Sequence, residues 1–207
     1  MKKISYIIII ALIVFNSVLA YKIKSNTTEF TMIYSLLNKK LDKNKSATIK
    51  FEHNFIREQE NENLQLDANS ELLDIVGNKV FAKDIFKKNS LVFRFSELNC
   101  GDCIDAEIDA LIKNKDKIKK DVILIAYYQN PRDLFVFYKE FQKKGLVNFD
   151  MYLSPNKGLG IPLDLQNIPY YFCVNSNLIM NNFFIPQKEK PKLSQVYLDY
   201  TSKNFLN

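Results

Sequence analysis

The stretch Cys100-Gly101-Asp102-Cys103 constrains this chain most, because of what stands on either side of it. Before it runs Ser90-Leu91-Val92-Phe93-Arg94-Phe95, mostly apolar and aromatic, which reads as a buried strand. After it, Ile104, Ile108, Leu111 and Ile112 recur at the spacing of an amphipathic helix running towards Lys117. The two cysteines therefore sit at a strand-to-helix turn, in the first turn of that helix. Residues three apart on a helix share a face, so their sulfurs can bond without moving the backbone. Unpaired N–H groups and the positive end of the helix dipole favour a thiolate there.

That arrangement is a recipe for a reversible redox disulfide. A structural disulfide, or half of a metal site, would use the same pair. A metal needs two further ligands, and the other cysteine and the one histidine, Cys173 and His53, are isolated; the sequence implies no metal and no cofactor. Three cysteines do not make a disulfide scaffold. The net charge of +6 comes from lysines interleaved with acids, as in Lys113-Asn114-Lys115-Asp116-Lys117, which describes solvated faces rather than a nucleic-acid surface. At 207 residues the chain has room for one core-bearing domain and an N-terminal extension.

Met1-Lys2-Lys3 and the apolar run Ile4 to Ala20 predict export of the rest of the chain. Two readings share the run: a signal peptide cut after Ala20, with Val18-Leu19-Ala20 as the cleavage region, or an uncut membrane anchor extended by Tyr21 and Ile23. Either way the positive start stays in the cytoplasm and the body lies outside it. From Asn26 to Gln65 the pattern predicts a short helix through Met32, Ile33, Leu36, Leu37 and Leu41. A strand at Ser46–Phe51 and a loop at Glu58–Asn63 complete the extension. The boundaries read as 1–24 for the leader or anchor, 25–66 for the extension and 67–207 for the domain.

Within the domain, Leu72–Val76, Gly77-Asn78 and Lys79–Phe81 form a hairpin pattern. Val122–Tyr127 is a continuous apolar run, the mark of a central strand covered on both faces. Asn130-Pro131 opens a helix carried by Leu134, Phe135, Tyr138 and Phe141 to a stop at Gly145. Phe149–Leu153 is a strand, Ser154–Gln166 a loop with one helical turn. Tyr170–Val174 and Leu178–Ile185 make a second hairpin about Asn175-Ser176-Asn177, and a helix from Leu193 to Phe205 closes the chain. Alternating β and α with an antiparallel end predicts an α/β domain: a mixed central sheet flanked by helices, with the first hairpin as an N-terminal extension.

With the cysteine pair at a strand-to-helix turn, Ile168-Pro169 ahead of the terminal hairpin, the hairpin Leu72–Phe81 and an exported N-terminus, residues 68–206 resemble the thioredoxin-like superfamily, and within it the TlpA/ResA-like exported reductases. The resemblance implies a thioredoxin-like fold. It also implies that Cys100 is the exposed nucleophile and Cys103 the resolving thiol. The proline at position 169 is implied to be cis, packing beside the disulfide with Ile168 as a wall of the substrate site. Several positions depart from the family pattern. Asn99 replaces the usual aromatic before the first cysteine, and no proline lies between the cysteines. Ala106 stands where these reductases often carry a glutamate, and Glu107 is about 100° further round the helix. Arg94 aligns with the buried acid of ordinary thioredoxins. Glu97 is the candidate proton acceptor in their stead, and Cys173 reads as a small buried hydrophobe.

The function implied is an extracytoplasmic thiol–disulfide oxidoreductase of the periplasm or cell envelope. Its partners would be thiols and disulfides of exported proteins or peptides, an upstream membrane electron donor, and the inner membrane if the first segment is uncut. A peroxidase would want a Thr–Pro-rich segment where Ser96-Glu97-Leu98-Asn99 stands. A Sco-type copper chaperone would want a distal histidine and a wider cysteine spacing. The other class is a non-catalytic binding module of the cell envelope whose disulfide is structural.

Overall fold

From Lys2 to Glu60 the chain has neither glycine nor proline to break a helix. In the computed structural model, which describes residues 2–118, 122–156 and 158–206, this span forms one helix, α1 (Lys2–Glu60). Met1 of the charged start and Lys157 of the loop lie outside the described residues. Two expectations are corrected here: Ser46–Phe51 is helix rather than strand, and Glu58–Glu60 is helix rather than loop. Thr48 and Ile49 favour strand only weakly, and their neighbours Lys45, Ala47, Lys50 and Glu52 are good helix formers. Among the described residues no helix is long and apolar enough to cross a membrane. The chain divides into two compact units, 1–52 and 53–207.

The second unit carries an eight-stranded mixed sheet. In chain order its strands are β1 (Leu64–Gln65), β2 (Glu71–Leu73), β3 (Lys79–Phe81), β4 (Ser90–Ser96), β5 (Val122–Tyr127), β6 (Phe149–Leu153), β7 (Tyr170–Val174) and β8 (Ile179–Phe184). They lie in the order β1-β8-β7-β4-β5-β6-β2-β3. Parallel pairing joins β4 to β5 and β5 to β6, whereas β7, β8 and the hairpin β2–β3 pair antiparallel. The helices are α2 (Ala82–Ile85), α3 (Gly101–Lys113), α4 (Lys115–Ile118), α5 (Arg132–Lys144) and α6 (Pro191–Asn204), with a 3-10 turn at Pro162–Gln166. This is the helix-flanked mixed sheet, with its added hairpin, that the thioredoxin-like resemblance implies.

Alternation along β4 divides the core into two layers. Leu91, Phe93 and Phe95 pack with Ile108 and Leu111 of α3, Phe141 of α5 and Leu198 of α6. Val92 faces the other way, with Ile125, Phe172, Leu66, Leu72 and Leu163. All seven residues of β4 are buried, so the strand that ends at the cysteines is held on both faces. The first hairpin is shorter than expected, β2 ending at Leu73, because the Asp74 carboxylate accepts the N–H groups of Val76 and Asn78 and bends the chain early. The last turn of α1 and the turn that follows it are tied to β8 and its end by carboxylates. Glu62 accepts the N–H groups of Asn182 and Phe183, and Glu58 that of Ile185.

Candidate active site

Strand β4 delivers the chain to a tight turn at Ser96–Asn99, closed by the Asn99 N–H on the Ser96 carbonyl at 3.0 Å. The Asn99 side chain finishes the job. Its Oδ1 accepts the Ser96 N–H and its Nδ2 donates to the Asn167 carbonyl, both at 2.7 Å. An amide therefore clips the cysteine turn to the loop ahead of Ile168 and Pro169.

Cys100 is the N-cap residue of α3, its carbonyl accepting the N–H groups of Cys103 and Ile104. Cys100 is exposed, Cys103 half-buried and Cys173 buried, and all three are free thiols. The two motif thiols are unequal. The Cys103 thiol hydrogen-bonds to the Cys100 sulfur, the Cys103 N–H adds to this, and the charge of Lys188 helps, so Cys100 is held below its ordinary value. Burial, and then the neighbouring Cys100 sulfur, push Cys103 up to about 11. Burial also raises Cys173, to about 12; it belongs to the core, as read from the sequence.

Lys188 gave no signal in the sequence. It follows β8 in a turn closed by the Lys190 N–H on the Gln187 carbonyl, and its Nζ lies 2.7 Å from Asp102 Oδ2. Asp102 alone would oppose a thiolate at Cys100. Paired with Lys188 it does so less, and the lysine's own charge favours the thiolate. The hydrogen bonds from Cys103 come first in lowering Cys100, and Lys188 adds to them against Asp102. Lys188→Met should therefore raise the Cys100 pKa and slow its alkylation at neutral pH, with an effect that shrinks as salt is added. The pH profile of alkylation measures this; an unchanged profile would remove Lys188 from the site.

Of the other candidates, Ile168 and Pro169 are half-buried just before β7. The Ile168–Pro169 bond is trans, since no described peptide bond is cis, which corrects the cis expectation. Asn167 turns the chain in the left-handed region (φ 50°), and Pro169 directly precedes the first paired residue, Tyr170. A trans proline fits there because its missing N–H is not needed by the ladder. Glu97 is exposed and its Oε1 accepts the Gln129 N–H at 2.9 Å. Glu107 is buried against α6, accepting the Ser194 hydroxyl at 2.9 Å, and burial raises its pKa. Arg94 is buried and pairs with Asp164, 3.2 Å away.

No protein-family model and no curated protein matches the chain. Solved structures do resemble it. The thioredoxin domain of a thiol-disulfide oxidoreductase from Bacteroides vulgatus aligns over 70% of this chain and 99% of its own, at 16% identity and a TM-score of 0.48. An uncharacterized thioredoxin-like protein from Porphyromonas gingivalis covers 69% of this chain and 95% of its own, at 20% identity and 0.46. A secreted disulfide oxidoreductase of Mycobacterium tuberculosis covers 64% of this chain and 96% of its own, at 12% identity and 0.45. The chemistry of the site stands on this chain's own residues.

Proposed function

We propose that this chain is an extracytoplasmic thiol–disulfide oxidoreductase that reduces disulfides of exported proteins through Cys100 and Cys103. The observation that carries it is the inequality of two thiols one helical turn apart. Cys100 is exposed and lowered, while Cys103 is half-buried and raised to about 11. The Cys100 thiolate attacks one sulfur of a substrate disulfide, forming a mixed disulfide and releasing a substrate thiolate, which takes up a proton. Cys103 then loses its proton and attacks the Cys100 sulfur. The second substrate thiol leaves, and a Cys100–Cys103 disulfide remains. Two electrons have passed from the dithiol to the substrate, and an upstream membrane dithiol returns the pair to its reduced form.

In this reading Ile168 and Pro169 form a wall of the substrate site, supported by the hydrogen bond that ties Asn167, the residue before them, to Asn99 of the cysteine turn. Lys2-Lys3 and the apolar run Ile4 to Ala20 support export to the periplasm or cell envelope, with the body outside the cytoplasm.

The test is equilibration of the full chain in dithiothreitol or glutathione buffers, with free thiols counted by maleimide labelling. A reversible two-electron transition confined to Cys100 and Cys103, with turnover on a peptide disulfide, is expected. A disulfide that a mild dithiol leaves intact would point instead to a structural bridge in a binding module.

A further inference from the structure

Beside the cysteine turn opens a cavity of about 440 Å³, bordered by Asn99 and Gly101, the two neighbours of Cys100. Its apolar wall is Ile104 of α3 and the stacked rings of Tyr128 and Phe137, parallel with centroids 4.9 Å apart. Its polar wall is acidic, with Glu97, Asp133 and Glu140 among its lining.

Two features show that this is more than a solvated acidic patch. The first is Tyr128, only 6% exposed, which lines the cavity and whose hydroxyl has no hydrogen-bond partner among the described residues. With no protein partner, that oxygen is left available to accept from a ligand N–H. Burial, followed by the charges of Asp133, Glu140 and Glu97, raises the pKa of this phenol and keeps it protonated. The second is the charge balance. Lys144 pairs with Asp105 at 2.8 Å and with Glu140 at 3.1 Å, whereas Glu97 and Asp133 form no ion pair among the described residues. Glu97 uses one oxygen on the Gln129 N–H, and Asp133 meets only the Asn130 amide, at 3.4 Å.

We infer that this cavity is a specificity subsite for a basic side chain, arginine best of all, carried by the substrate segment next to the disulfide that Cys100 attacks. The inference rests on the redox reading above. An arginine stem would lie along Ile104 and Phe137, with its planar guanidinium over the rings. Its five donors match the two unpaired carboxylates and the Tyr128 oxygen. Lysine would satisfy the charge but not the stacking. An acidic side chain at the same place would meet uncompensated like charge.

The test uses three peptide disulfides identical except for Arg, Gln or Glu beside the cysteine, reacted with the reduced full chain. Each rate is divided by that of the same peptide with a small neutral thiol, which removes intrinsic reactivity. The Arg peptide should outpace the Glu peptide by on the order of tenfold at low salt, the size of effect a focused charged cleft produces. The ratio should shrink at about 0.5 M salt, where the Debye length is only a few ångström. In a Glu97→Gln, Asp133→Asn protein it should fall towards one; should that variant not fold, the salt series on the unaltered chain decides. Three equal rates would overturn the subsite while leaving the redox chemistry standing. No reaction with any peptide would overturn both.

Discussion

Cys103→Ser is expected to turn the protein into a trap: mixed disulfides with exported proteins accumulate through Cys100, and multiple turnover is lost. Cys100→Ser should trap almost nothing. The reason lies in the geometry of the helix start. Cys100, at the N-cap, is open to a bulky partner, while Cys103 is one turn in and half-buried. Ionisation points the same way. A thiol at about 11, as Cys103 is, carries roughly one thiolate in ten thousand at pH 7, and Cys173, at about 12, ten times less. Cys100 lies below the ordinary thiol value of 9.0, so its thiolate fraction exceeds about one in a hundred. Alkylation of the reduced protein at pH 7 should therefore modify Cys100 about a hundredfold faster than Cys103 or more. Mass spectrometry of the labelled peptides measures the order. Labelling of Cys103 or Cys173 first would reverse the roles assigned to the two sulfurs.

The position of that pair was legible because its neighbours speak in two clear periods. The mostly apolar and aromatic run of β4 reads as strand, and Ile104, Ile108 and Leu111 read as one helical face. The residues that tune the pair were not legible, because what defines them is a distant partner. Asn99 looks like a missing aromatic until its amide meets the Asn167 carbonyl, 68 positions on. Lys188 is one of 29 basic residues, and only its contact with Asp102, 86 positions away, sets it apart. The long helix is hidden for a different reason. Short windows such as Ser46–Phe51 look strand-like by local preference, while the absence of any breaker from Lys2 to Glu60 is a property of the whole span. The trans bond at Pro169 shows the reverse error, in which a family habit is carried onto a proline that simply opens a strand.

Asp164→Ala should cost about 3–5 kcal/mol of stability, because it breaks a buried ion pair by removing its carboxylate. Arg94 sits in the middle of β4, and its side chain is 2% exposed. Its Nε lies 3.2 Å from Asp164 Oδ1, and its guanidinium stands over the Tyr170 ring at 5.7 Å. The same carboxylate accepts the Tyr170 hydroxyl at 2.7 Å and the N–H groups of Leu159 and Ile161 at 2.7 and 3.2 Å. Gly158 lies so close to that carboxylate that any side chain there would collide with it. Alanine at 164 therefore takes the paired carboxylate from Arg94 and the acceptor from three donors, against a total stability of about 5–15 kcal/mol for a domain of this size. Urea denaturation should show the midpoint falling steeply. Adding Arg94→Met should recover about 1–4 kcal/mol by removing the buried charge that has lost its carboxylate, though not the three lost hydrogen bonds. The damage should also reach the site, because the 3-10 turn that Asp164 anchors ends at Asn167, whose carbonyl holds Asn99 beside Cys100. Alkylation of Cys100 should thus lose its single fast phase in Asp164→Ala at denaturant concentrations where the unaltered protein is still folded. A loss below about 1 kcal/mol, the size of one ordinary hydrogen bond, would mean that Arg94 finds another partner and that the pair does not hold the floor of the site.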